Sequence, residues 1–125
     1  MSGIRVSTLP NGLRVATDPM SGVETASVGV WVEAGSRYET ATASGVSHFL
    51  EHMVFKGTEK YPTTDDVNTI ERAGGLQNAY TDIDITNYHN KVLSEDWHLA
   101  LEINKELAIN PRIPAEWVDK ERDVI

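Results

Sequence analysis

Two histidines and a glutamate form the stretch of this sequence whose spacing is best suited to chemistry: His48-Phe49-Leu50-Glu51-His52. On a helix His48 and His52 lie one turn apart, about 40° around the axis, so both imidazoles can meet one metal ion. Glu51 falls on the same side, placed to bond a water held by that ion. The neighbours Phe49, Leu50, Met53, Val54 and Phe55 are apolar, which predicts a buried helix with the His/Glu stripe as its polar part. Burying two imidazoles and a carboxylate without partners costs on the order of several kcal/mol. A zinc ion with a bound water offsets that cost and brings the water's pKa near neutrality. Glu51 is then the general base. The competing reading is a pair of hydrogen-bonded core histidines beside a salt-bridged glutamate. His-x-x-Glu-His arises by chance in roughly one chain of this length in several hundred, which leaves that reading the weaker.

The elements that must position this stripe are legible in the patterning. Ile4, Val6 and Thr8, then Leu13, Val15 and Thr17, alternate around Asn11-Gly12, the strongest short hairpin signal. A third strand is expected over Thr25–Glu33, with Val28, Val30 and Val32 on one face. Gly29 inside it suggests the close approach of another backbone. The motif helix opens at Ser44-Gly45 and runs to about Phe55, with Gly57 placed for a C-cap. Thr63-Thr64-Asp65-Asp66 opens a further helix through Val67, Ile70 and Ala73, which Gly74-Gly75 stops. Leu76 to Leu93 reads as a strand pair or one long bent strand. Ser94-Glu95-Asp96 caps a helix from Trp97 to about Ile109, with Trp97, Leu101, Ile103 and Leu107 among its apolar positions. A last helix starts after Pro114 and is expected to be still running at Ile125. His98 and Glu102 read as a solvated helix face, and His89 as a packing or surface residue.

Composition sets the outer limits. The chain has 125 residues, no cysteine, and 11 basic against 19 acidic side chains, a net charge of −8. Residues 63–125 hold 13 acids against 6 bases, a net of −7, which reads first as a solvated acidic face and second as a surface for basic peptides. An acidic balance argues against nucleic acid as the main partner. Zero cysteine excludes disulfides, thiolate zinc sites and cysteine nucleophiles. No apolar run approaches the ~20 residues that span a bilayer. The start, Met1-Ser2-Gly3-Ile4-Arg5-Val6, has no apolar h-region, and a cytoplasmic location is the expectation.

The stretch from Gly45 to Thr58 closely resembles the inverted-zincin peptidases, the family of pitrilysin, insulin-degrading enzyme and mitochondrial processing peptidase. Leu9-Pro10-Asn11-Gly12-Leu13-Arg14-Val15 resembles that family's first hairpin. Gly74-Gly75-Leu76-Gln77-Asn78-Ala79-Tyr80-Thr81 resembles its substrate-binding edge strand, and Glu121-Arg122-Asp123-Val124-Ile125 its Glu-Arg-x-Val-Ile helix. Four motifs in the family's order make the likeness specific, and the lack of long insertions points to the processing-peptidase-like bacterial branch.

The resemblance implies a zinc metalloendopeptidase. His48 and His52 match the zinc imidazoles and Glu51 the general base. Asn78, Ala79 and Tyr80 match the strand to which a peptide or unfolded protein segment adds in β fashion. Glu121 matches an auxiliary acid near the site. The implied fold is α+β, an antiparallel-rich mixed sheet covered by helices. Residues 1–125 are expected to be the first half of an N-terminal peptidase domain. The family's third zinc ligand, a glutamate, would lie a few residues past Ile125, so little activity is expected of these residues alone. The resemblance also implies a homo- or heterodimer for the full-length protein. A non-hydrolytic peptide- or metal-binding module, or an inactive assembly subunit of the same family, is the alternative reading.

Overall fold

The computed structural model describes residues 3–125. Met1 and Ser2, the first residues of the stretch without an apolar h-region, lie outside the described residues. Strands β1 (Arg5–Thr8) and β2 (Arg14–Thr17) form a separate antiparallel hairpin. Its turn follows the expected chemistry: Gly12 takes φ 89°, and the Asn11 side-chain oxygen accepts from the Leu13 N–H at 3.1 Å. Strands β3 (Thr25–Val32), β4 (Leu76–Thr81) and β5 (Thr86–Leu93) make a second sheet in the order β3-β5-β4, with both pairings antiparallel. Leu76–Leu93 is thus a strand pair. It reverses where the Asp82 N–H bonds the Ile85 carbonyl at 2.8 Å.

Alternation along the strands divides this sheet into two faces. Ala26, Val28, Val32, Ala79, Tyr88 and Val92 pack with the core, whereas Trp31, Leu76 and Tyr80 are exposed. Gly29 is explained by a side chain rather than a backbone. The Trp31 indole lies over it, and a Cβ there would stand 2.6 Å from the ring.

The helices are α1 (Val46–Val54), α2 (Thr64–Val67), α3 (Thr69–Arg72), α4 (Trp97–Ile109) and α5 (Ala115–Arg122). The core closes over Val54, Val67, Ile70, Ala100, Ile103 and Leu107 from these helices with Tyr88 and Val92 from β5. Burial of such apolar side chains contributes about 1.5–3 kcal/mol each. The buried stripe of α4 is Ala100, Ile103, Asn104 and Leu107, while Trp97 and Leu101 face outward. Asn104 registers α4 on the sheet. Its amide donates to the Val28 carbonyl at 3.0 Å, and its oxygen accepts from Asn90 at 3.1 Å.

Four expectations are corrected. The single helix expected over residues 63–73 is two short ones. The helix starts at Thr63–Asp66 as expected, with Thr63 and Asp66 joined in a capping box, but Asn68 breaks the run at φ −78°, ψ 15°, where the Thr69 hydroxyl donates to the Asp66 carbonyl. Gly74 then closes α3 at φ 85° in a Schellman arrangement, with Gly74 N–H on Glu71 and Gly75 N–H on Ile70. The cap expected from Ser94–Asp96 is absent as a side-chain bond: these residues form a 3-10 turn that runs straight into α4. The last regular helix ends at Arg122 instead of running through Ile125. The Val124 and Ile125 N–H groups still turn back to the Glu121 carbonyl. Finally, α1 is not buried all round. Met53 and Val54 are inside, but Val46 and Leu50 are 48% and 44% exposed, because the helix packs by one side only, against β4 and α5.

Candidate metal centre

Helix α1 carries the three residues at the expected spacing. Its first bond runs from the Phe49 N–H to the Gly45 carbonyl at 2.9 Å. The start of the helix is held by Glu39, whose carboxylate accepts from Gly45 N–H at 2.7 Å and from Ser47 N–H at 2.9 Å. Those donors, Ser47 first, keep the Glu39 carboxyl below its ordinary pKa of 4.5. A negative charge there also complements the positive end of the helix dipole.

One turn apart on this helix, the His48 and His52 rings meet edge to face with centroids 4.8 Å apart. Their Nε2 atoms are 3.2 Å apart. Two nitrogens bound at ~2.05 Å to one tetrahedral zinc would stand about 3.3 Å apart, so the pair already has the spacing of two ligands. A ligand atom from each of His48, Glu51 and His52 lies within 4.8 Å of the others, a group able to hold a metal ion. His48 is exposed while Glu51 and His52 are half-buried, which leaves one side of the group open to solvent.

Partners from three other elements orient these side chains. Glu121 on α5 places its Oε2 3.3 Å from His52 Nδ1. A carboxylate can only accept, so this contact calls for a proton on Nδ1, the tautomer that leaves the Nε2 lone pair for a metal. Glu121 Oε1 pairs with Lys56 Nζ at 2.7 Å. That ammonium is the main reason its carboxyl sits below the ordinary value, against an opposing effect of burial and with a lesser contribution from His52. From β4, the Thr81 hydroxyl donates to Glu51 Oε2 at 2.5 Å, and the Thr86 hydroxyl of β5 lies 3.4 Å from that of Thr81. Tyr88 on β5 faces the same carboxylate. Burial, and then the charge of Glu51, pushes its phenol up to about 12.

Asn78, Ala79 and Tyr80 lie on β4, one to three residues upstream of Thr81. Among the described residues strand β4 pairs only with β5 and is an edge of its sheet. Its outer side therefore offers unpaired main-chain groups. The Ala79 N–H is turned to that side, where the Asn78 side-chain oxygen takes it at 2.9 Å. Tyr80 packs near His89 across the sheet at 6.1 Å between ring centroids. The fold thus brings the end of this strand to Glu51 through Thr81, while Asn78 and Tyr80 point their side chains to the opposite face of the sheet from Thr81.

Sequence reasoning did not find Thr81, Lys56 or Glu39 as partners of the site. Lys56 had a signal, since it is four residues past His52, and so had Thr81, which shares the inward face of β4 with Ala79. Glu39 had none. The other histidines stay apart: His89 Nδ1 bonds Asn87 Oδ1 at 2.6 Å, and His98 stacks on Trp97. Glu102 bonds Tyr61 and Lys60.

The chain is 46% identical over 121 residues to a protein of Arabidopsis thaliana described as a probable mitochondrial-processing peptidase subunit beta, covering 97% of this chain and 23% of that protein. It is 43% identical over 124 residues to an uncharacterized zinc protease of Mycobacterium leprae, covering 99% of this chain and 28% of that one. A crystal structure of a protease from Helicobacter pylori superposes with a TM-score of 0.89 at 31% identity, covering 99% of this chain and 30% of that one. The chain therefore spans about a quarter of the length of these curated relatives. The sequence model of the insulinase family, peptidase family M16, matches residues 14–125, and the chain belongs to that family.

Proposed function

We propose that this chain supplies the zinc-binding helix and the substrate strand of a metalloendopeptidase that cleaves peptides or unfolded segments held as an added β-strand. The observation that carries the reading is the pair of Nε2 atoms at 3.2 Å with Glu51 beside them and Glu121 behind His52. His48 and His52 would hold the ion. When bound, zinc supplies Lewis-acid polarisation of the scissile carbonyl and a lowered pKa for water. Glu51 does the proton work. Thr81 occupies its Oε2, leaving Oε1 to take a proton from the attacking water and to deliver it to the leaving amine. The free edge of β4 around Asn78, Ala79 and Tyr80 binds the peptide main chain to main chain, and the incoming strand replaces the local bond from Ala79 N–H to Asn78.

A catalytic zinc takes three protein ligands and a water. By the family likeness the third belongs to the helix of Glu121 beyond Ile125, and residues 1–125 alone are expected to hydrolyse peptide poorly for that reason. The Arabidopsis relative is named as a beta subunit, which supports a homo- or heterodimer for the full-length protein. None of the helices among the described residues is long and apolar enough to cross a membrane.

Glu51→Gln in the full-length protein tests the central claim. The variant should keep its zinc, measured by elemental analysis, and lose peptide cleavage. Unimpaired turnover would sink the assignment of Glu51.

A further inference from the structure

Lys56 lies two residues past the end of α1 and four past His52, yet its side chain is only 18% exposed. Lysine surrenders its hydration at such a place only where partners replace it. Both partners come from α5. Glu121 Oε1 bonds the ammonium at 2.7 Å, and the Trp117 ring centroid lies 4.7 Å from Nζ. Trp117 and Glu121 are four residues apart, one turn of the same helix, so they grip Lys56 from one face. Lys120, whose Nζ lies 4.6 Å from the same ring, is exposed, so Lys56 alone is drawn inward.

The two bonds to Glu121 are unequal. The contact with His52 Nδ1, 3.3 Å, is at the long end of hydrogen bonding, whereas that with Lys56 is short and charge-assisted. The Glu121 side chain, 8% exposed, is thus oriented by Lys56, and the imidazole bond follows from that orientation. We propose that Lys56 is a positioning residue of the metal centre: clamped by Trp117 and Glu121, it sets the carboxylate that decides which nitrogen of His52 carries the proton, and so turns Nε2 toward His48. The inference rests on the zinc reading for its purpose but not for its test.

The experiment uses the full-length protein with 15N-labelled histidine, stripped of metal, with the His52 ring signals assigned by their loss in His52→Gln. Wild type should show the proton on Nδ1. Lys56→Met, which keeps an apolar stem over Trp117, should shift the population toward Nε2–H. Lys56→Arg, which can stack on the ring and bond the carboxylate, should restore the wild-type signature. Chelator competition with zinc alone should give about a 10–100-fold weaker affinity for Lys56→Met and near-wild-type affinity for Lys56→Arg. A wild-type His52 protonated on Nε2 overturns the inference without any variant, as does a Lys56→Met protein with an unchanged tautomer. A Lys56→Arg protein no better than Lys56→Met also overturns it. If wild type binds no zinc but shows the Lys56-dependent tautomer, the inference stands and the zinc reading falls.

Discussion

Replacing Thr81 by valine removes one hydroxyl and leaves the shape of the side chain nearly intact. In the fold that hydroxyl donates to Glu51 Oε2 from a strand end 30 residues away in sequence. A hydrogen bond to a charged group contributes about 1.5–3 kcal/mol. Both residues are half-buried, so water competes and the lower part of that range applies, about 1.5–2 kcal/mol. At ~1.4 kcal/mol per decade, a bond that matters fully in the transition state corresponds to a loss of about 10–30-fold in kcat/KM. The loss should fall on kcat. The Thr81 side chain faces α1, on the opposite side of β4 from Asn78 and Tyr80, so main-chain binding of peptide and hence KM should hold. Steady-state kinetics of the full-length protein on an unstructured peptide read both constants, and Thr81→Ser serves as the control that keeps the hydroxyl. A thermal midpoint near that of wild type separates the effect from unfolding. Thr81→Val turning over at the wild-type rate, or Thr81→Ser falling as far as Thr81→Val, would refute the reasoning.

Three further outcomes follow from the same structure. The Glu39 carboxyl lies below 4.5 because Ser47 and Gly45 N–H groups bond its charged form, so its support of α1 is present above about pH 4.5 and is lost as pH falls through its lower folded-state value. The protection of the Ser47 amide, relative to its intrinsic exchange rate at each pH, should fall over that window in wild type and show no such acid step in Glu39→Gln; identical profiles would disprove the cap. Ile103→Ala opens a cavity in the centre of the core, where Ile103 is 1% exposed, and should cost about 2–5 kcal/mol in urea unfolding; a loss under 1 kcal/mol, on the order of a conservative core swap, would mean that α4 does not seat as described. Gly57 takes φ 144°, and a Cβ there would meet the Pro62 carbonyl oxygen at 2.4 Å. Gly57→Ala should therefore destabilise by at least about 1–3 kcal/mol, and an unchanged unfolding midpoint would contradict that backbone.

Features set within four or five residues were legible in advance, because helix and strand periods are properties of the local chain. The Asn11-Gly12 turn, the helix start at Thr63–Asp66 and the His48/Glu51/His52 stripe all belong to this class. The stripe's partners were less so. Glu121 could be named only through a family likeness, and its bond to His52 spans 69 residues. Patterning also left open which apolar residues of α4 are inside. Trp97 and Leu101 fit a helical stripe as well as Ile103 and Leu107 do, but α4 meets the sheet along Ala100, Ile103 and Asn104. The face of an amphipathic helix that is buried depends on what lies opposite, which a period of 3.6 cannot state.

By itself the sequence determined the set of candidate donors: two imidazoles and a carboxylate on one side of a helix. Only the tertiary structure decided how that set is held. It put Thr81 of β4 on Glu51, and it set Lys56 between Trp117 and Glu121 so that His52 offers Nε2. The physical reason is that ligand spacing within a helix is fixed by its own hydrogen bonds. The proton on a particular ring nitrogen, and the free oxygen of a particular carboxylate, are set by groups that reach the site only when β4 and α5 pack against α1.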